Sequence, residues 1–125
     1  MSLPRRHRGG GPGRVTVREA AERTGGAGAH AVLLDVREQL EHSAGHVPWA
    51  VHLPLSALLF GAALPESAQA RPVIVICRSG RRSRQAAELL AARGTDAVDV
   101  VGGMRDWAAA GLPVVASRGG NGTVA

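Results

Sequence analysis

The sequence has few of the residue types that cross-link a protein or anchor it in a membrane. It contains one cysteine, one phenylalanine, two tryptophans and no tyrosine. A single cysteine excludes an internal disulfide bond and a zinc site built from several thiolates. No apolar run approaches the ~20 residues that a membrane-spanning helix needs, and the first residues lack the apolar segment of a secretory signal. We therefore expect a cytoplasmic protein with a reduced thiol and no membrane partner.

Lysine is also absent, so all 15 basic residues are arginine, opposed by ten acidic residues. The resulting net charge of +5 raises the question of nucleic-acid binding. Most of the excess lies in the first 23 residues, where charge alone would give only salt-sensitive, non-specific affinity. These residues offer no aromatic side chain for stacking on bases, so we do not expect nucleic acid to be the main partner. The histidines at 7, 30, 42 and 52 show no spacing that suggests a metal site.

Hydrophobic patterning divides the chain into three parts. Residues 1–14 and 117–125 are rich in glycine and polar residues without periodicity, and both are predicted to be flexible tails. Residues 15–116 are predicted to form one domain, and 45% hydrophobic residues in the whole chain suffice for an ordinary core.

Strands and helices are predicted to alternate along this domain. Continuous apolar runs at 31–34, 73–76 and 97–101 are typical of strands buried on both faces of a parallel sheet, and weaker strands are predicted near Val15 and at 50–53. Helical stretches are predicted at about 16–23, 37–42, 55–60, 66–70, 83–93 and 104–110. Thr16 and Glu19 have the spacing of a capping box at the start of the first of these. This alternation predicts a three-layer α/β domain, in which ligands bind at the carboxyl ends of the strands.

The only cysteine, Cys77, lies between the 73–76 strand and the clearest helix. A strand-to-helix turn can direct backbone N–H groups at an anion, and the helix dipole adds positive field. The turn also carries three arginines, Arg78, Arg81 and Arg82. These features favour the thiolate, which is the nucleophilic form of cysteine. Gly80 allows a tight turn, Ser83 is predicted to cap the helix, and Ser79 or Ser83 could donate to the sulfur.

A lone cysteine at a strand end is often only a small buried hydrophobic residue. Such a cysteine would gain nothing from a glycine and three arginines in one tight turn. We therefore favour a functional role for Cys77.

Four segments, in the same order along the chain, resemble the rhodanese-like sulfurtransferase family. Residues 32–38 (VLLDVRE) match its LLDVRE signature, and residues 41–48 (EHSAGHVP) match its GHIP turn. Residues 76–83 (ICRSGRRS) match its CxxGxRS active-site loop, and residues 102–114 match its terminal GG…W…AGxPV segment. The resemblance covers about residues 15–116. Trp49 is a departure, because the family usually has glycine there.

The resemblance implies an α/β/α domain with a five-stranded parallel sheet and a catalytic Cys77. That cysteine would take a sulfane sulfur, become a persulfide and pass the sulfur to an acceptor. The implied donor is a small anion such as thiosulfate, and the implied acceptor is cyanide, a thiol or a protein. Neither a metal nor an organic cofactor is implied. The residues expected to bind substrate form the active-site loop: Arg78, Ser79, Gly80, Arg81, Arg82 and Ser83.

Asp35 and Arg37 follow a strand that should neighbour the Cys77 strand. Either they lie at the rim of the site, where Arg37 would add positive field, or they form an ion-pair network that fixes the loops. We favour the structural role for Asp35 and leave both roles open for Arg37. His46 is expected to hydrogen-bond backbone and shape its turn, and Trp107 to pack in the core.

Three alternatives remain at the level of sequence. The first is a phosphatase or arsenate reductase, whose active-site loop typically has five residues between its cysteine and its arginine. In this chain only four residues separate Cys77 from Arg82, so the loop is one residue shorter. The second is a mercaptopyruvate sulfurtransferase, whose active-site loop typically has glycine directly after the cysteine, where this chain has Arg78. A non-catalytic rhodanese-type module would bind or regulate a protein, and many such modules lose the cysteine that this chain retains.

Overall fold

The structure, a computed structural model, describes residues 12–125 of the chain. Five strands form one sheet in the order β1-β5-β4-β2-β3, and every neighbouring pair is parallel. The predicted α/β domain with a parallel sheet is confirmed, and the strand that leads to Cys77 lies at its centre. The strands are β1 (Arg14–Val15), β2 (Val32–Asp35), β3 (Val51–His52), β4 (Val73–Ile76) and β5 (Ala97–Val100).

Helices cover both faces of the sheet. They are α1 (Val17–Thr24), α2 (Gln39–Ala44), α3 (Leu55–Leu59), α4 (Arg81–Ala92) and α5 (Gly103–Ala109), and a single 3-10 turn spans Glu66–Ala68. The helix predicted at 66–70 is thus only this turn. Among residues 12–125, no helix is long and apolar enough to cross a membrane.

Two hydrophobic clusters sandwich the sheet, because successive strand side chains point to opposite faces. On the face of α1 and α5, Ile74 and Val98 pack with Trp107. On the face of α3 and α4, Val75 packs with Leu58 and Leu90. All of these side chains are buried, and each contributes about 1.5–3 kcal/mol to folding relative to exposure. The predicted core role of Trp107 is confirmed.

Helix α1 begins at a capping box that the sequence predicts. Thr16 Oγ1 accepts the Glu19 N–H at 3.1 Å, and Glu19 Oε1 accepts the Thr16 N–H at 3.0 Å. Two otherwise unpaired N–H groups are satisfied in this way. These hydrogen bonds to Thr16 hold the pKa of Glu19 below its usual value.

The two predicted tails differ from a simple flexible extension where the structure describes them. Arg14 belongs to β1, and residues 1–11 lie outside the described part of the chain. At the other end, Val115 forms antiparallel bridges with His46 and Asn121, and the Thr123 N–H donates to the Ala44 carbonyl at 3.0 Å. Residues 117–125 therefore fold back along the end of α2, which periodicity alone does not reveal.

Candidate active site at the cysteine loop

Cys77 directly follows β4 at the carboxyl edge of the sheet, as predicted. The residue is 1% exposed, and its sulfur lies within a hydrogen-bonded turn. The Gly80 N–H donates to Cys77 Sγ at 3.1 Å, and the Cys77 thiol donates to Ser83 Oγ at 3.3 Å. A backbone N–H aimed at sulfur stabilises a thiolate more than a neutral thiol, because a hydrogen bond to an ionised acceptor is the stronger one.

The shape of the loop depends on Gly80. Its φ of +106° lies in the left-handed region that favours glycine. A Cβ at this position would lie 2.9 Å from Arg14 Nη2 and 3.3 Å from the Gly102 nitrogen. The sequence prediction of a tight turn at Gly80 is confirmed, and the close approach of Arg14 gives a second reason for glycine.

Ser83 does not cap the helix, so that prediction is wrong. Helix α4 begins at Arg81, with Gly80 in the cap position and no side-chain cap. Because the helix begins two residues earlier than predicted, Ser83 lies within its first turn, fully buried against the sheet. Its hydroxyl donates to Asp99 Oδ2 at 2.9 Å while accepting from the Cys77 thiol. The alternative prediction, that Ser83 donates to the sulfur, is met only as a contact, because in the structure the Cys77 thiol is the donor and Ser83 Oγ is the acceptor.

The first turn of α5 holds the other side of the loop. The Met104 N–H donates to the Cys77 carbonyl at 2.8 Å, and the Arg105 N–H donates to the Arg78 carbonyl at 3.0 Å. Gly103 permits this contact, since a Cβ there would lie 2.3 Å from the Cys77 carbonyl oxygen. The two motifs noted separately in the sequence therefore form one unit.

Two residues of this site were missed at the level of sequence, Asp99 of β5 and Arg14 of β1. Arg14 Nε and Nη2 donate to the two carboxylate oxygens of Asp99 at 2.9 and 3.1 Å. Arg14 Nη2 also donates to the Gly80 carbonyl at 3.0 Å. Hydrogen bonding to Asp99 raises the pKa of Arg14 above its ordinary value, and the negative charge available at Cys77 adds to the shift. A carboxylate within an otherwise apolar strand was the available signal, because a buried charge needs a partner.

The three loop arginines have different surroundings. Arg78 and Arg81 are exposed, and Arg78 Nε donates to the Ala125 carbonyl at 2.8 Å. Arg82 is partly buried and holds both carboxylate oxygens of Glu41 on α2, with Nη2–Oε2 at 2.7 Å. This pairing raises the pKa of Arg82 and lowers that of Glu41. Cys77 also contributes to the Arg82 shift, so the two groups lie within electrostatic range of each other.

Asp35 and Arg37 form a fully buried ion pair. Arg37 Nη2 donates to Asp35 Oδ2 at 2.8 Å, and neither side chain is exposed to solvent. The same nitrogen donates to the Gly45 carbonyl at 2.6 Å, and Arg37 Nη1 donates to the Glu41 carbonyl at 3.3 Å. This geometry supports the structural interpretation of both residues, since the guanidinium fixes the turn after α2.

Three histidines form a stack beside this turn, and their spacing in the sequence did not predict that they lie together. The ring of His42 lies between those of His46 and His52, with centroid separations of 4.0 and 4.1 Å. His46 Nδ1 lies 2.8 Å from the His42 carbonyl, so its predicted contact with backbone is confirmed. Burial, followed by the two neighbouring rings, lowers the pKa of His42 to about 4. Among residues 12–125, no group of three His, Cys, Asp or Glu side chains could hold a metal ion.

Trp49, the departure from the family pattern, packs at an edge-to-face angle on Trp107, with ring centroids 5.8 Å apart. Its indole N–H donates to Thr24 Oγ1 at 2.9 Å.

A cavity of about 520 Å³ near α1 is lined partly by Gly28 and Ala31, which precede β2. Because the strands are parallel, that cavity lies at the opposite edge of the sheet from Cys77.

The geometry of the loop therefore suits covalent chemistry at sulfur. Cys77 lies at the end of the central strand, its sulfur contacts the Gly80 N–H and the Ser83 hydroxyl, and the loop carries three arginines. These are the parts that an activated thiol requires.

Comparison with known proteins agrees with the motifs. The model of the rhodanese-like domain matches residues 16–110. An Allochromatium vinosum protein named "Sulfurtransferase" is 38% identical over 89 residues, which are 70% of this chain and 81% of that protein. The mouse protein "Adenylyltransferase and sulfurtransferase MOCS3" is 39% identical over 105 residues, and the match spans 66% of this chain but only 23% of that protein.

Solved structures give the same result. A rhodanese-related protein from Thermoplasma volcanium superposes with a TM-score of 0.72 at 31% identity, covering 82% of this chain and 97% of that one. The family model covers more than half of the chain, and the resemblance noted in the sequence is thus confirmed. The chain belongs to the rhodanese-like domain family.

Proposed function

We propose that this protein is a sulfurtransferase that carries a sulfane sulfur on Cys77 as a persulfide. Relatives named as sulfurtransferases support a role in sulfur transfer. The proposed donor is thiosulfate or another persulfide donor, and the proposed acceptor is cyanide, a thiol or a protein. The observation that carries the proposal is the Gly80 N–H on Cys77 Sγ at 3.1 Å, in a loop flanked by arginines.

The reaction proceeds in two displacements at sulfur. The Cys77 thiolate attacks the outer sulfur of thiosulfate and forms a new S–S bond. The original S–S bond of the donor breaks, and sulfite leaves with its electron pair. Cyanide then attacks the terminal sulfur of the persulfide, thiocyanate leaves, and the Cys77 thiolate is regenerated. Each step exchanges one bond for another, so neither step consumes an external oxidant or reductant.

Charges around the loop favour the first displacement. Donor and leaving group are both anions, and the exposed guanidinium groups of Arg78 and Arg81 raise their local concentration and stabilise developing charge. Arg82 has a smaller share of this role than the sequence predicts, since Glu41 already neutralises it. The Gly80 N–H supports sulfur as a thiolate, and it is a donor for the persulfide anion as well.

Steady-state assays with thiosulfate or a polysulfide as donor and cyanide as acceptor test the proposal. We expect turnover in the wild type and none in Cys77→Ser. Arg81→Gln should lower kcat/KM for thiosulfate several-fold, whereas Arg18→Gln, at an exposed position on α1, should leave it unchanged. Absence of turnover with every sulfur donor, in a folded protein with a reduced thiol, would favour a protein-binding module. Hydrolysis of an aryl phosphate that disappears in Cys77→Ser would favour a phosphatase.

A further inference from the structure

Five groups around the sulfur form a closed hydrogen-bonded ring. Cys77 donates to Ser83, Ser83 donates to Asp99, and Arg14 binds Asp99 and the Gly80 carbonyl. The Gly80 N–H returns to Cys77 Sγ and closes the ring. Residues from β1, β5, α4 and the loop are thus joined at one thiol, and the family signature contains neither Asp99 nor Arg14.

Burial makes this ring energetically demanding. Cys77, Ser83 and Asp99 are all at most 1% exposed. A carboxylate so deeply buried is costly unless it is paired and hydrogen-bonded, and Arg14, whose side chain is 30% exposed, supplies the pairing. The pair also stands next to the proposed nucleophile, where the negative charge of Asp99 opposes thiolate formation and the positive charge of Arg14 favours it.

The proton of the Ser83 hydroxyl is the movable part. The hydroxyl has one proton, which it donates in a hydrogen bond to Asp99, while a lone pair on its oxygen accepts a hydrogen bond from the Cys77 thiol. When the thiol proton leaves to solvent, a rotation about the Cβ–Oγ bond lets the same hydroxyl donate to the thiolate. The Cys77–Ser83 hydrogen bond then reverses its direction, and Asp99 loses the bond from Ser83 but keeps its two bonds from Arg14.

We propose that Asp99 and Arg14 are positioning residues that set the ionisation of Cys77, with the Ser83 hydroxyl switching between carboxylate and sulfur. This inference rests on the proposed function for its purpose, but its test needs only a reactive thiol. Other charged groups, on the loop and on the elements around it, stay constant in the test: Arg82 with Glu41, the Arg37–Asp35 pair, Arg78, Arg81, Arg105 and Asp106.

The two members of the pair should act in opposite directions. Asp99→Asn removes the negative charge, leaves Arg14 unopposed and gives the Ser83 hydroxyl a weaker acceptor, which favours its donation to sulfur. We expect the pH midpoint of Cys77 alkylation by iodoacetamide to fall by about half a unit or more. Arg14→Gln should raise that midpoint by a similar amount, because Asp99 then stands without its cation. The double variant should return close to the wild type.

A purely structural role predicts another result. Loss of either residue would loosen the loop, weaken the Gly80 donation to sulfur and move both midpoints upward. Shifts of the same sign, or no shift in either folded variant, would overturn the proposal. Arg18→Gln controls for the loss of one positive charge and should not move the midpoint.

Folding of the variants is checked by thermal unfolding. If Asp99→Asn does not fold, the comparison of Arg14→Gln with the double variant decides the question. Adding Asp99→Asn to Arg14→Gln must lower the midpoint, and a raised or unchanged midpoint would refute the proposal. A wild type that alkylates with a clear midpoint but never accepts sulfur would contradict only the proposed function, so the two failures are distinguishable.

Discussion

Glu41 on α2 and Arg82 in the first turn of α4, next to the cysteine loop, join the two helices through a bidentate ion pair. The pair lies 41 residues apart in sequence and is partly buried, with side chains 23% and 33% exposed. Because Glu41 cancels much of the Arg82 charge, it reduces the positive field that an anionic donor meets. The surroundings of the cysteine loop are thus less cationic than the number of arginines in the loop implies.

Glu41→Gln should therefore increase the attraction of anions to Cys77. We expect the ratio of alkylation rates by anionic iodoacetate and neutral iodoacetamide to rise about threefold or more at low salt, and to fall back as salt screens the charge. Glu88→Gln provides a matched control, since Glu88 is exposed and lies 3.8 Å from Arg84 further along α4. An unchanged ratio in Glu41→Gln would show that Arg82 does not influence the sulfur.

Arg37 and Arg78 offer a direct contrast between a structural and an electrostatic arginine. Arg37→Gln leaves the buried Asp35 without its cation, so we expect a loss of about 3–5 kcal/mol in the free energy of unfolding. Arg78→Gln, at an exposed position, should change stability by less than about 0.5 kcal/mol. Urea denaturation at neutral pH measures both. A stable Arg37→Gln protein with a much lower rate for anionic donors would instead place Arg37 at the rim of the site.

The histidine stack predicts a loss of stability in mild acid. The pKa of His42 is lowered from 6.5 to about 4 on folding, so the unfolded chain binds this proton more readily than the folded one. The folded state therefore keeps its full stability with respect to His42 above about pH 6.5, and this part of the stability is lost as the pH falls towards 4. Asp35 opposes this shift, while Arg37 and the two neighbouring rings favour it.

His42→Phe keeps a ring in the stack but removes the titration. We expect its Tm to fall less between pH 7 and pH 5 than that of the wild type. His30→Phe is the control, because His30 is exposed and outside the stack. If His42→Phe and the wild type lose the same amount of stability over this range, the stack does not respond to acid.

Local patterns were sufficient to predict the sheet, the Cys77 loop and the turn at Gly80. Each depends on residues that are neighbours in the chain, such as the apolar run before Cys77 and the glycine within its loop. The capping box at Thr16 is of the same kind, because its partner lies three residues away. Such features follow from backbone geometry and need no knowledge of tertiary contacts.

Long-range contacts do not follow from patterns of neighbouring residues. Arg14 and Asp99 lie 85 residues apart, and only the adjacency of β1 and β5 brings them together. Ser83 was assigned to a cap because its partner Asp99 lies on another element, 16 residues further on. The neutralisation of Arg82 by Glu41 has the same origin. A charged residue inside an apolar strand was the one signal that could have drawn attention to Asp99.

The central claim is that Cys77 carries sulfur, and intact mass spectrometry tests it most directly. The reduced protein and Cys77→Ser are each incubated with thiosulfate, and then with cyanide. We predict that one sulfur is added to the wild type, that none is added to the variant, and that cyanide removes the added sulfur. A folded wild type that gains no sulfur from thiosulfate, polysulfide or a small persulfide, or that gains it equally in Cys77→Ser, would contradict the account.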